Sequence, residues 1–124
     1  MEALSATEIR IIRSMLEKRY GRTSGFLTQL ENASAETRRS SGVGIFVELR
    51  VAAGAGAVDG VNAEISEAYT TRYPPPGDLV EFTLFIRGGR LALLEGYTFG
   101  DAAWPEAPMA DWLILESAAE QRAG

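Results

Sequence analysis

Glu95, Tyr97 and Asp101 fall in one short stretch near the C-terminal end of a 124-residue chain that contains no histidine and no cysteine. The first two sit in a mostly apolar run from Leu91 to Phe99. A carboxyl group set in an apolar row loses its hydration, which favours the neutral form and makes it a usable acid or base unless a donor compensates. Tyr97, two residues on and therefore on the same face of a strand, is the nearest donor by spacing. The three residues are candidate binding residues. The plainer alternative is a structural hydrogen bond from Glu95 to a tyrosine, an arginine or a loop amide, because buried carboxylates usually find partners.

The element that must position them is a β-hairpin. Leu79 to Phe99 holds two β-rich runs around Gly88-Gly89, a pair suited to the positive φ angles of a tight turn. A two-residue turn there sets Ile86 opposite Leu91, Leu84 opposite Leu93, Phe82 opposite Glu95 and Val80 opposite Tyr97. That register predicts Glu95 in the apolar row and Glu81 on the opposite face, which disfavours a two-carboxylate glycosidase arrangement from this pair. A three-residue loop would pair Phe82 with Leu94 instead. The second face then carries Thr83, Phe85, Ala92 and Leu94, fringed by Glu81, Arg87, Arg90 and Thr98. An apolar centre with a charged rim is the composition of an interaction patch, so Phe85, Leu94, Arg87, Arg90 and Glu81 are candidates for one unless other elements cover them.

Composition narrows the chemistry. Without cysteine or histidine there is no zinc ribbon, disulfide framework, thiol redox centre or imidazole-based nucleophile system, and no catalytic residue is assigned. The aspartates Asp59, Asp78, Asp101 and Asp111 form no calcium-binding loop, so neither a metal nor a cofactor is expected. Seventeen acidic against 12 basic residues give a net charge of -5, the wrong sign for nucleic-acid binding. The N-terminus lacks a secretory signal pattern and no apolar run nears the ~20 residues of a membrane span. A cytoplasmic protein with no membrane partner is expected.

The rest of the chain reads as one domain over 1–124, helical over 1–31, mainly antiparallel β over 37–116, with a tail at 117–124. Ser5-Ala6-Thr7-Glu8 is a capping box, and Ile9, Ile11, Ile12, Met15 and Leu16 form an apolar stripe that predicts a helix from Ala6 to Tyr20, stopped by Gly21. Ser24 can cap a shorter helix carrying Phe26, Leu27 and Leu30. Period-two alternation predicts strands from Gly42 to Val51 and from Val61 to Thr70, with a flexible glycine-rich connection at 52–60. The prolines at 74–76 predict irregular chain. Asp111 to Glu116 fits a last strand or a helical turn. Arg38-Arg39 reads as a solvated strand edge, and Trp104 and Trp112 as peripheral core plugs or partner anchors. The fold class expected is α+β, one or two N-terminal helices packed on a four- or five-stranded antiparallel sheet.

Leu84-Phe85-Ile86-Arg87-Gly88-Gly89-Arg90-Leu91, with Leu94-Glu95, Tyr97 and Gly100-Asp101, resembles the C-terminal half of a group of small uncharacterised bacterial proteins. Those carry a hairpin of the form L-F-x-x-D-G-x-L-x-x-L-E-x-Y followed by G-D and a proline-containing loop. Their opening helix, Leu-Ser/Thr-x-x-x-Glu, is similar to Leu4-Ser5-Ala6-Thr7-Glu8 with one residue fewer here. Some have a Gly/Cys-containing middle segment that this chain lacks. The resemblance implies helices followed by an antiparallel sheet and brings no established activity. By size and charge alone the chain also looks like toxin-immunity proteins. Together these point to a non-catalytic protein-binding module, immunity-like or accessory, acting on a protein partner or as a homodimer. The competing expectation is a small-molecule or weakly enzymatic site around Glu95, Tyr97 and Asp101.

Overall fold

In the computed structural model, residues 1–71, 79–98, 103–104 and 114–117 are described, with backbone alone for 70, 71 and 114–117. The first helix, α1, runs Ala6–Tyr20 as its cap and stripe predict. The Ser5 hydroxyl accepts from the Glu8 amide at 3.1 Å, and Glu8 Oε1 accepts from the Ser5 amide at 2.7 Å. Ile11, Ile12, Met15 and Leu16 are buried along its inner face. The second helix, α2, spans Gly25–Glu31 and buries Phe26, Gln29 and Leu30. Ser24 occupies its N-cap position, but the buried hydroxyl makes no hydrogen bond among the described residues.

Both helices pack on one face of an antiparallel sheet, so the fold is α+β. The strands are β1 (Glu2–Ala3), β2 (Ala33–Ser40), β3 (Gly44–Val51), β4 (Ala63–Thr71), β5 (Leu79–Arg87), β6 (Arg90–Thr98) and β7 (Ile114–Ser117). Their order is β1-β2-β3-β6-β5-β4-β7. The sheet is wider than four or five strands because β1 and the polar β2 extend one edge, where no apolar alternation advertises a strand. At the other edge Ile114–Ser117 is a strand paired with β4. The prolines at 74–76, Asp101, Trp112 and the tail beyond Ser117 lie outside the described residues.

The core fills the space between helices and sheet. Val47 and Leu49 of β3, Val80, Phe82, Leu84 and Ile86 of β5, and Leu91 and Leu94 of β6 are buried with the helical stripe. Leu94 is 0% exposed there, so it does not share a patch with Phe85, which points to the other face. Trp104 packs partly buried at the periphery of this core, edge-on to Phe82 with ring centroids 6.0 Å apart. Gly96 makes room for it, since a Cβ there would lie 2.7 Å from the Trp104 ring and 2.6 Å from Phe82.

The β5–β6 turn is the two-residue Gly88-Gly89 turn, with φ of 56° and 74°. The later part of the connection at 52–62 is tied to this tip by hydrogen bonds. The Val58 amide donates to Gly89 O at 2.8 Å, the Gly89 amide to Val61 O at 2.8 Å, and the Gly88 amide to Asn62 Oδ1 at 2.9 Å. Gln29 ties α2 into the same knot. Its fully buried amide donates to Gly89 O at 2.7 Å and Gly56 O at 3.0 Å, and accepts from the Leu91 amide at 3.0 Å.

Two irregularities decide which face key residues occupy. In β2 the register shifts between Ala35 and Thr37, so Glu36 is an extra residue and Arg38 comes opposite the buried Val47, on the helix side. In β6 it shifts between the Ile86–Leu91 and Phe85–Leu93 pairs, leaving Ala92 unpaired. One extra residue reverses every side chain beyond it.

Candidate functional site

The Ala92 bulge overturns the register expected beyond Ile86–Leu91. Leu84 faces Leu94, Phe82 faces Gly96 and Val80 faces Thr98, while Thr83 faces Glu95 and Glu81 faces Tyr97. Glu95 therefore leaves the apolar row and joins Tyr97 on the face away from the helices, and Glu81 stands on that face with them. The opposite-face assignment of Glu81 and Glu95 is corrected by the same shift.

The face away from α1 and α2, free of helix among the described residues, can be read across the strands from the pairings. Phe46, Glu95, Thr83 and Ser66 form one row, and Glu48, Leu93, Phe85 and Glu64 the next. On the other side of the first row come Gly44, Tyr97, Glu81 and Ala68. Phe46, Phe85, Leu93, Tyr97, Glu81 and Glu95 are all half-buried. The Ser66 and Thr83 hydroxyls share a hydrogen bond of 2.8 Å. Arginines border the strip: Arg39 lies over the Phe46 ring at 5.9 Å and within 3.4 Å of Glu48, and Arg87 lies over Phe85 at 5.3 Å. Arg90 pairs with Arg87 across the turn, at the end of the strip.

Among the described residues Glu95 has neither a hydrogen bond nor an ion pair. Tyr97 does not serve as its donor; the phenol is engaged with Glu81. Burial first, then the hydrogen bond to the Glu81 carboxylate, push the Tyr97 phenol above its ordinary value, with the Thr83 hydroxyl acting the other way. The neutral phenol is thus favoured in the folded state. Its contribution to stability is fully present below about pH 10 and is lost as the pH rises through the elevated folded value. Ultraviolet titration of the folded protein is expected to show Tyr97 ionising later than the ordinary range, read as one late-titrating equivalent that Tyr97→Phe removes. A late step of undiminished amplitude in Tyr97→Phe would contradict this.

Glu95 and Tyr97 share a face, as strand alternation predicts, but not the apolar one, and Phe46, Leu93 and Glu81 are neighbours that the expected register does not give them. Phe46 was open to detection, since strict alternation in β3 sets it opposite in phase to Val47 and Leu49. Asp101 lies outside the described residues. Among those described there is no group of histidine, cysteine or carboxylate residues able to hold a metal, and no helix long and apolar enough to cross a membrane. No protein-family model, curated protein or solved structure matches the chain.

Proposed function

We propose that the chain is a non-catalytic protein-binding module with an immunity-like or accessory role in a bacterial cytoplasm. Its helix-free sheet face takes a partner segment that brings a basic side chain to Glu95 and apolar groups to Phe46, Phe85 and Leu93. The observation that carries this is Glu95 itself, a half-buried carboxylate without a hydrogen-bond or ion-pair partner among the described residues, paired across the sheet with Phe46 on one side and Thr83 on the other. A charged group in that position is stabilised once a cation reaches it, and desolvation by the partner strengthens the pair. The aromatic borders supply the contact area from which interface anchors are built.

A second copy of the chain is the competing occupant. Two-fold pairing about this strip sets Glu81 and Glu95 near the same carboxylates of the other copy, while Arg39 and Arg87 stay stacked on rings at the borders. The small-molecule or enzymatic reading of the cluster has less support, because a phenol held neutral is a hydrogen-bond donor rather than a base.

The test compares wild type, Glu95→Lys and Phe46→Glu in affinity capture from the native host, with light scattering on each purified protein. Expected is a stoichiometric partner whose contact segment is basic, bound at least about tenfold more weakly by Glu95→Lys, a variant that unfolds at an unchanged midpoint. Capture unaffected by Glu95→Lys removes the proposal. A wild-type dimer that Glu95→Lys or Phe46→Glu converts to a folded monomer assigns the face to a second copy instead.

A further inference from the structure

On the opposite side of the molecule, a cleft of about 430 Å³ is lined by Arg10, Arg13, Ser14, Glu17, Lys18 and Arg22. All but Arg22 project from one face of α1, recurring at three- and four-residue intervals, and Arg22 follows just past the Gly21 cap. Among the described residues four cations and one carboxylate line this spot and make it locally positive in a chain whose net charge is -5. Lys18 is partnered by Glu67 at 3.4 Å. Arg13 and Arg22 have no hydrogen bond or ion pair among the described residues.

Ordinary helix physics accounts for part of this arrangement only. Cations in the last turn suit the negative end of the helix dipole, which explains Lys18. Arg10 and Arg13 stand in the first half of α1, where that term is absent. Like charges three residues apart destabilise a helix, as Arg10 and Arg13 are, although Glu17 four residues after Arg13 offsets part of that cost. These side chains border an open hollow whose volume lies in the range of small-ligand sites.

We propose that this cleft binds a compact, multiply phosphorylated small molecule. Guanidinium groups match phosphate oxygens with paired N–H donors, and the Ser14 hydroxyl adds one more. Among the described residues the lining holds no aromatic ring on which a nucleobase would stack, so recognition rests on the phosphates. Glu17 in the lining and Glu67 beside Lys18 oppose the ligand, and they limit affinity to anions dense enough in charge to outweigh them.

The experiment is calorimetric titration of the full chain with inorganic tripolyphosphate at low and at physiological salt, with sulfate and a single-stranded oligonucleotide as comparison probes. Expected is saturable one-to-one binding of tripolyphosphate that weakens with salt. The double variant Arg13→Gln/Arg22→Gln is expected to bind at least about tenfold more weakly, and Glu17→Gln several-fold more tightly. Arg13 and Arg22 are exposed and Glu17 half-buried, and circular dichroism confirms that each variant is folded. Absence of saturable binding, equal affinity for sulfate, or an unchanged affinity in the double variant overturns the proposal. So does an oligonucleotide that binds more tightly as it lengthens, which would make this an extended nucleic-acid surface.

Discussion

Replacing Arg38 by methionine is expected to destabilise the protein by about 3–5 kcal/mol, the range for stranding one partner of a buried ion pair. Glu8 is 1% exposed, and Arg38 closes on it with both Nε to Oε2 at 3.0 Å and Nη2 to Oε1 at 2.7 Å. The guanidinium also reaches Glu2 at 3.0 Å and the Ala3 carbonyl at 3.0 Å, so it fastens β1 and the helix start to β2. Its pKa is raised, chiefly by the hydrogen bonding to Glu8, so it stays charged. The pair is unequal: Arg38 keeps 26% of its side-chain surface in contact with solvent, Glu8 almost none. Loss of Arg38 leaves a buried carboxylate with only the Ser5 amide, whereas Glu8→Gln leaves a cation that water can reach. Denaturant midpoints should therefore rank Arg38→Met well below Glu8→Gln, and the double variant should recover part of the Arg38→Met loss. Equal losses from the two single variants would contradict this division of burial.

Gly89→Ala is expected to cost several kcal/mol and Gly88→Ala roughly 1–2, although both residues share one turn and both have positive φ. The left-handed backbone penalises each alanine alike. Only at Gly89 would the added Cβ also meet rigid chain, 2.1 Å from the Val58 carbonyl oxygen and 2.7 Å from its carbon. Nothing lies within 4 Å of a Cβ at Gly88. Overpacking against backbone adds about 1–3 kcal/mol, because neither the turn nor the Val58 segment can yield without breaking the hydrogen bonds that join them. Comparable urea midpoints for the two alanine variants would mean that the connection at 52–62 does not lie on the hairpin tip.

The parts of this fold that are local in cause could be read from the chain. The bounds of α1 follow from Ser5, Glu8, the isoleucine stripe and Gly21, all within reach of one another along the helix. The Gly88-Gly89 turn is equally local. The two bulges are not, because an extra residue is chosen by how two strands and a core fit together. Leu91, Leu93 and Leu94 compete for places in β6, and Leu91 and Leu94 both enter the core, which strict alternation forbids. Ala92 absorbs the mismatch, and Glu95 moves to the open face as a result. In β2 the extra Glu36 turns Arg38 from the expected solvated edge towards Glu8. The expected patch of Phe85 with Leu94 fails for the same reason, while Glu81, Phe85 and Arg87 do share a face.

The most direct measurement on the open face is site-specific photo-crosslinking in the native host, with a photoreactive side chain at position 93 on that face and, for comparison, at position 28 on the exposed side of α2. The account predicts an adduct at position 93 whose sequenced peptide is a basic segment of another protein, lost when Glu95→Lys is added and absent at position 28. An adduct at position 28 alone, or a peptide at position 93 that is acidic or belongs to a second copy of this chain, would contradict it.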